Sequence, residues 1–284
     1  MGEDASVLRS SVRLLDRHDL DEALALCARD VVANLFVAAR LTAGGPAPRA
    51  GGELWGWYQD GELRSVCWSG ANLVPVQASA EAIEAFAARA RRQGRQCSSI
   101  VGPAATVLAL WDQLAPAWGP AREVRPEQPL MAIASAPCVP PDPAVRRSRP
   151  DEVDLITPAC VAMFTEEVGY SPVAADGGAL YRSQVSALVT SGRSLVHTQG
   201  REVVFKAELG SVTRQAVQVQ GVWVNPRYRG LRLAAPGMAA VVTLVRAEIA
   251  PVVSLYVNGF NTRAVHVYEK VGFRRAGTFA TVLF

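Results

Sequence analysis

The chain has 284 residues, half of them hydrophobic, with a formal net charge of +3. That is enough for a sizeable core in one large or two ordinary domains, and too little positive charge for a general nucleic-acid binder. The opening stretch, MGEDASVLRSSVRLLDRHDL, has no apolar signal core, and no later stretch is long and apolar enough to span a bilayer, so a cytoplasmic protein without membrane contact is expected.

The first half reads as alternating short elements. Residues 12–15 have the types of a strand. Asp19, with Glu22 three residues on, has the spacing of a capping box and starts a helix through Ala28; Asp30 starts a second helix through Leu41. A glycine- and proline-containing loop covers 42–51. Two β-rich runs, 54–58 and 63–68, flank Asp60-Gly61, a strong two-residue hairpin signal, and 71–76 makes a third strand. Ser79 caps an alanine-rich helix that Gly94 ends. A strand at 97–101, a helix at 103–114 and a strand at 130–134 close this half. Residues 136–150 then hold five prolines and little apolar pattern, the composition of a spacer. The boundaries follow from it: a first domain over 1–135, a linker over 136–150 and a second domain over 151–284.

The second half repeats the order. A strand at 153–156 precedes helices at 157–167 and 178–190. A meander follows at 194–198, 203–209 and 216–224. On its middle strand Lys206 and Glu208 share one face, and Val203, Phe205, Ala207 and Leu209 the other. The third strand stops at Asn225-Pro226, because proline has no N–H to donate to a ladder. A basic turn, Arg227-Tyr228-Arg229-Gly230, opens a helix with Leu231, Leu233, Ala234, Met238, Val241, Val242, Val245 and Ile249 near helical spacing. A strand that passes through such a turn into a helix forms an anion site, since the unpaired N–H groups and the positive end of the helix dipole face the turn. A strand at 254–257, a helix capped by Asn261 and closed by Gly272, and a strand at 274–284 end the chain. Cys27, Cys67, Cys97, Cys138 and Cys160 are dispersed without metal-ligand spacing, as reduced thiols of a cytoplasmic protein would be, and no metal is expected.

Two of these stretches resemble the signatures of the GNAT acetyltransferase superfamily. V-x-V-x-P-x-x-R-G-x-x-L-A, from Val222 to Ala234, resembles its acyl-coenzyme A pyrophosphate loop, with Arg232 where the family pattern has a middle glycine. N-x-x-A-x-x-x-Y-x-x-x-G-F, from Asn261 to Phe273, resembles its second signature, and the two stand in the family's order and spacing. Both halves give the GNAT order of elements. The fold expected is therefore an α/β one, a mixed sheet with helices, arranged as two tandem GNAT-like domains. The first half has Pro75-Val76-Gln77-Ala78-Ser79-Ala80 where the basic turn should be, and holds five of the six tryptophans. It reads as a degenerate copy that packs against the active half or shapes its acceptor pocket, or else as an unrelated small α/β domain.

The resemblance implies roles for individual residues. Val222, Trp223 and Val224 would offer backbone groups to the pantetheine arm. Arg229, Gly230, Leu231, Arg232, Leu233, Ala234 and Ala235 would cradle the pyrophosphate with main-chain N–H groups, and the arginines either add charge or face water. Asn258 and Asn261 stand where the coenzyme arm is contacted, Asn261 serving equally as a plain helix cap. Tyr268 matches the tyrosine that protonates the departing thiolate, the other reading being a half-buried helix tyrosine. Glu208 either takes the amine proton through water or pairs with a neighbour on a wet sheet face. Glu166 and Glu167 lie where the first helices border the acceptor, and a carboxylate there can hold an ammonium group. His197 and His266 read as structural. The function implied is transfer of an acetyl group from acetyl-coenzyme A to a primary amine, on a small molecule or a protein. The alternative is an acyl-coenzyme A sensor without turnover. A homodimer is left open.

Overall fold

The computed structural model describes residues 10–45, 51–174 and 177–284. They fall into two compact units: residues up to Leu130 together with Ala276–Phe284, and Met131–Arg275.

In the first unit, β1 (Ser10–Leu14), β2 (Gly52–Gln59), β3 (Glu62–Gly70), β4 (Asn72–Val76) and β5 (Ser99–Pro103) lie side by side in that order. All neighbours are antiparallel except β4 and β5. The β2–β3 hairpin turns on Asp60 and Gly61, both at positive φ (52° and 83°), as a two-residue primed turn requires. Helices α1 (Leu20–Ala28), α2 (Leu35–Gly44), α3 (Ala80–Gln93) and α4 (Ala104–Trp118) complete the unit. Trp55, Phe86, Ile100 and Leu110 are buried in one cluster, and Trp68 and Leu54 in another.

Several starts differ from the sequence reading. Asp16 caps a single 3₁₀ turn at Arg17–Asp19, and the Asp19 carboxylate reaches back to the Asp16 N–H, so Asp19 closes the capping box of that turn and α1 begins after it. Asp30 accepts from the amides of Val32 and Ala33 within a turn, and α2 starts only at Leu35. The loop expected at 42–51 yields its first residues to α2, and 46–50 lie outside the described residues. Strand β6 (Glu123–Ile133) begins seven residues before its expected start, since Pro126 and Pro129 masked its pattern.

The second unit contains β7 (Arg146–Arg147), α5 (Val153–Val168), α6 (Ala179–Thr190), β8 (Ser194–Gln199), β9 (Glu202–Val212), β10 (Ala216–Val224), α7 (Ala234–Glu248), β11 (Val252–Tyr256) and α8 (Thr262–Val271). Its strands are ordered β11-β10-β9-β8-β7, antiparallel except for β10 and β11. The strand expected at 153–156 is the first turn of α5. Pro150 opens a 3₁₀ turn that runs into that helix, the position where a missing N–H costs nothing. The residues that pair instead are Arg146 and Arg147, inside the expected linker, against Val196 and Leu195. One face of the sheet packs Phe205, Leu209 and Val217 on Met238, Val242 and Val271 of α7 and α8. The other packs Val196 and Trp223 on Ile156, Cys160 and Val189 of α5 and α6. Val203 belongs to this second face, not to that of Phe205, because Val204 is passed over in the pairing with β8 and the alternation shifts by one.

The last strand, β12 (Arg274–Leu283), was expected to close the second half. Its pairs, from Phe279↔Pro103 to Leu283↔Ser99, lie on β5. Ala280 and Val282 are buried with Trp55 and Phe86, and Phe284 sets its ring edge-on to Trp111 and Trp118 at 5.5 and 5.7 Å. No described helix is long and apolar enough to cross a membrane.

Candidate active site

In the second unit β10 and β11 run parallel as far as Gln218↔Ser254 and pair no further, although both continue. The strands therefore open from each other beyond that point. On its other edge β10 is bulged. Gln220 faces Glu208 and Trp223 faces Lys206, so Gly221 and Val222 are passed over. Gly221 takes the left-handed conformation this needs, at φ 57°, and an added Cβ would meet Glu208 Oε2 at 3.0 Å and Met163 Cε at 3.1 Å. A bulge swings the strand and re-aims its peptide groups.

β10 then delivers the chain to the start of α7. Asn225 caps the 3₁₀ turn at Pro226–Tyr228, and Gly230 (φ 87°) and Arg232 (φ 61°) turn the chain into the helix. Arg232 stands at the expected middle-glycine position and keeps the glycine-like conformation. α7 has no side-chain cap and no acidic residue in its first turn. The amides of Leu233, Ala234 and Ala235 make no hydrogen bond among the described residues, and Pro236 has none to offer. Their donors and the dipole are thus left for an anion. Gly237 sets the helix on the sheet, as a Cβ there would lie 2.8 Å from the Phe205 ring. The corresponding helix start in the first unit is closed to anions. Ser79 Oγ accepts from the Ala82 amide at 3.3 Å, and Glu81 puts a negative charge in the first turn of α3.

Of the three arginines in the turn, two have protein partners. Arg227 pairs with Glu202, which also accepts from the Tyr228 hydroxyl at 2.9 Å. Arg229 donates to Glu166 Oε2 at 2.6 Å and to the Val224 carbonyl at 3.0 Å. Arg232 has no ion pair among the described residues.

Two consecutive glutamates at the end of α5 reach the two sides of the opening. Glu166 also accepts from Trp223 Nε1 of β10 at 3.1 Å, and Glu167 accepts from Asn258 Nδ2, just past β11, at 3.0 Å. Asn261 caps α8 through the Ala264 amide at 3.2 Å. Tyr268, on the next turns of α8, is 8% exposed, beside Phe273 at 5.9 Å. Burial first, and the nearby Glu167 charge second, push its phenol up from its ordinary value, so it stays protonated through the neutral range.

Of the residues the sequence reading singled out, Glu166 bonds Trp223 and Arg229 of the α7 turn, Glu167 bonds Asn258, and the Glu167 charge acts on the Tyr268 phenol. Glu208 is tied to Lys206 at 2.6 Å on a face covered by α5, so it lies in a dry interior, not on a wet sheet face. His197 Nδ1 donates to the Asp142 carboxylate at 2.7 Å, and His266 Nδ1 donates to the Thr262 carbonyl. Two residues escaped the sequence reading. Lys206, fully buried, was visible only as a charge on an alternating strand. Gly237, a glycine inside a helix, was visible as a position disfavoured by ~1 kcal/mol against alanine, which signals a packing reason. Among the described residues no group of three or more His, Cys, Asp or Glu is placed to hold a metal ion.

In the second unit, parallel strands thus part beside an uncapped helix start whose amides can receive an anion. Residues 191–273 match the acetyltransferase (GNAT) family, and this part of the chain is a GNAT acetyltransferase domain. Residues 52–156 match a domain of unknown function, DUF4081. Among solved structures the chain is similar to a protein from Drosophila malonogaster (14% identity over 96% of this chain and 98% of that one, TM-score 0.64). It is similar also to a GCN5-related N-acetyltransferase from Sphaerobacter thermophilus (16%, 96% and 95%, TM-score 0.57). A third is a tandem GNAT protein from the clavulanic acid biosynthesis pathway (14%, 97% and 98%, TM-score 0.53). At these identities the likeness is one of fold, and it extends over nearly the whole chain. No curated protein matches the sequence.

Proposed function

We propose that the second unit binds acetyl-coenzyme A and passes its acetyl group to a primary amine by direct attack in a ternary complex. The observation that carries this reading is the meeting of an uncapped α7 start with the opening between β10 and β11, next to buried Tyr268. Bound acetyl-coenzyme A supplies an acyl group activated as a thioester. The chain's own residues do the rest. The amides of Leu233, Ala234 and Ala235, with Gly230 and Leu231 shaping the turn, hold the pyrophosphate, and Arg232 adds a cation. Val222 to Val224 offer backbone groups to the extended arm, and Asn261 borders it.

Glu166 and Glu167 draw the acceptor in as an ammonium ion. Glu167, backed by Asn258, takes its proton, so that the amine attacks uncharged. Tyr268 keeps a proton at its hydroxyl for the departing sulfur, an acid held neutral by burial. In this reading Glu208 is the counter-ion of Lys206.

The test is release of free thiol from acetyl-coenzyme A in the presence of a panel of primary amines, read with a thiol reagent. Release that depends on one class of amine is expected. Tight binding with no release for any acceptor would replace the enzyme with a ligand-holding protein.

A further inference from the structure

The second unit leaves aromatic side chains in water around the bond between Glu167 and Asn258. Glu167 accepts from Asn258 Nδ2 at 3.0 Å, which ties the end of α5 to the residues just past β11. Tyr170, three positions beyond Glu167, is 52% exposed, and its ring stands edge-on to Phe164 at 5.5 Å. Phe164 precedes Glu167 by three positions on α5, so the two are neighbours on the helix surface. Tyr256 and Phe260 lie two positions before and after Asn258 and are 37% and 77% exposed. Leu255 is buried against α7 and α8, so Tyr256, the next residue of β11, points to the opposite face of the sheet, the one covered by α5. Aromatic residues thus flank the Glu167–Asn258 bond from both of the segments it joins. Exposed apolar groups gathered in one place mark a binding surface, whereas scattered ones do not.

Charge narrows what can bind there. Glu166 gives Oε1 to Trp223 Nε1 and Oε2 to the Arg229 guanidinium. The two carboxylates at the end of α5 therefore present at most one negative charge that no guanidinium answers. Glu202 and Glu208 add none, being paired with Arg227 and Lys206.

We propose that the acceptor is a primary amine with a single positive charge on an aromatic or apolar body, and that Phe164, Tyr170, Tyr256 and Phe260 hold the body while Glu167 meets the ammonium. The inference rests on the function proposed above and names its substrate class. Such a body releases water from several rings at once, and ring faces near an ammonium add to its attraction. A polyamine brings further charges toward the cations Arg229 and Arg232. An aminosugar brings hydroxyls that the rings cannot pair. The transfer itself is unaltered: the amine nitrogen bonds to the acetyl carbon as the carbon–sulfur bond breaks, and the products are the N-acetyl amide, coenzyme A as the thiol, and the proton the ammonium gave up.

The test measures thiol release from acetyl-coenzyme A with phenethylamine, ethylamine, spermidine and glucosamine, in wild type, Tyr170→Ser and Phe260→Ser. In wild type kcat/KM for phenethylamine is expected about tenfold or more above that for each of the other three. In each variant the preference for phenethylamine over ethylamine falls about tenfold, the loss of a contact of about 1.4 kcal/mol. Retained binding of coenzyme A shows that the variants are folded. Spermidine or glucosamine used as well as phenethylamine, or a preference unmoved in both variants, overturns the proposal. If no amine releases thiol, the function proposed above fails, and calorimetric titration of wild type with the same amines in the presence of coenzyme A decides the rest. Phenethylamine held about tenfold more tightly than ethylamine and spermidine then upholds the aromatic amine site, and equal or absent binding removes it.

Discussion

Arg232 holds two opposed terms in one residue. Its φ of 61° is the left-handed region, which costs a side-chain-bearing residue roughly 1–2 kcal/mol. Its guanidinium is also the turn's one cation without an ion pair among the described residues. Arg232→Gly is therefore expected to raise folding stability by ~0.5–1 kcal/mol, after the added freedom of the unfolded glycine is deducted, and to weaken coenzyme binding several-fold. Melting and titration calorimetry on the same variant check both signs; a variant that loses stability and keeps affinity contradicts this assignment. Glu152 makes a separate, structural prediction. It accepts two bonds from Arg146, at 2.6 and 2.8 Å, and one from the Arg149 amide at 2.8 Å. Arg146 foremost, against a burial penalty, holds its carboxyl down at about 2, well below the ordinary 4.5 of a glutamate. A carboxyl with a depressed folded value stabilises above its unfolded value and loses that stabilisation as pH falls through the folded one. Glu152→Gln should thus cost on the order of 1–3 kcal/mol at neutral pH, a gap that closes between pH 4.5 and about 2 in denaturant melts.

At the scale of elements, α7 is expected to be tuned for a ligand at some cost to itself. A capped helix start satisfies its own donors, as Ser79 does for α3, whereas α7 leaves its donors open. Ala234→Asp puts a carboxylate in the first turn, which favours the helix by ~0.3–1 kcal/mol and opposes a phosphate there. The melting temperature should hold or rise while acetyl-coenzyme A affinity falls on the order of tenfold or more. Unchanged affinity would remove the anion from this helix. The α7 turn was legible in the sequence because its chemistry is local: β-branched strand, Asn225-Pro226 stop, glycine turn, apolar helix. The Asp60-Gly61 hairpin and the Ser79 cap were legible for the same reason. The start of α5 was not, since Val153-Asp154-Leu155-Ile156 has strand-like types and only the geometry of Pro150 and Glu152 makes it helical. The glutamates at the end of α5 were recognisable as carboxylates near an acceptor. That Glu166 serves β10 and Glu167 the end of β11 depends on packing that no local pattern encodes.

At the scale of the molecule, the pairing of β12 was the largest feature hidden from the sequence, because a strand's types do not name its neighbour. Ala280 and Val282 are fully buried in the first unit's core, and the Phe284 ring packs on two tryptophans there. Removing residues 276–284 is predicted to disrupt that unit, seen as loss of near-ultraviolet circular dichroism from its tryptophans; an unchanged spectrum would contradict this. The two units also differ in what their helix starts offer, α3 closed by a serine and a glutamate and α7 open. The most direct test of the proposed function is therefore a calorimetric titration of the whole chain with acetyl-coenzyme A, in wild type and in Ala234→Asp. One molecule bound per chain, with the heat strongly reduced in the variant, is the predicted result. Two equivalent sites, no binding, or a titration indifferent to Ala234→Asp would contradict it.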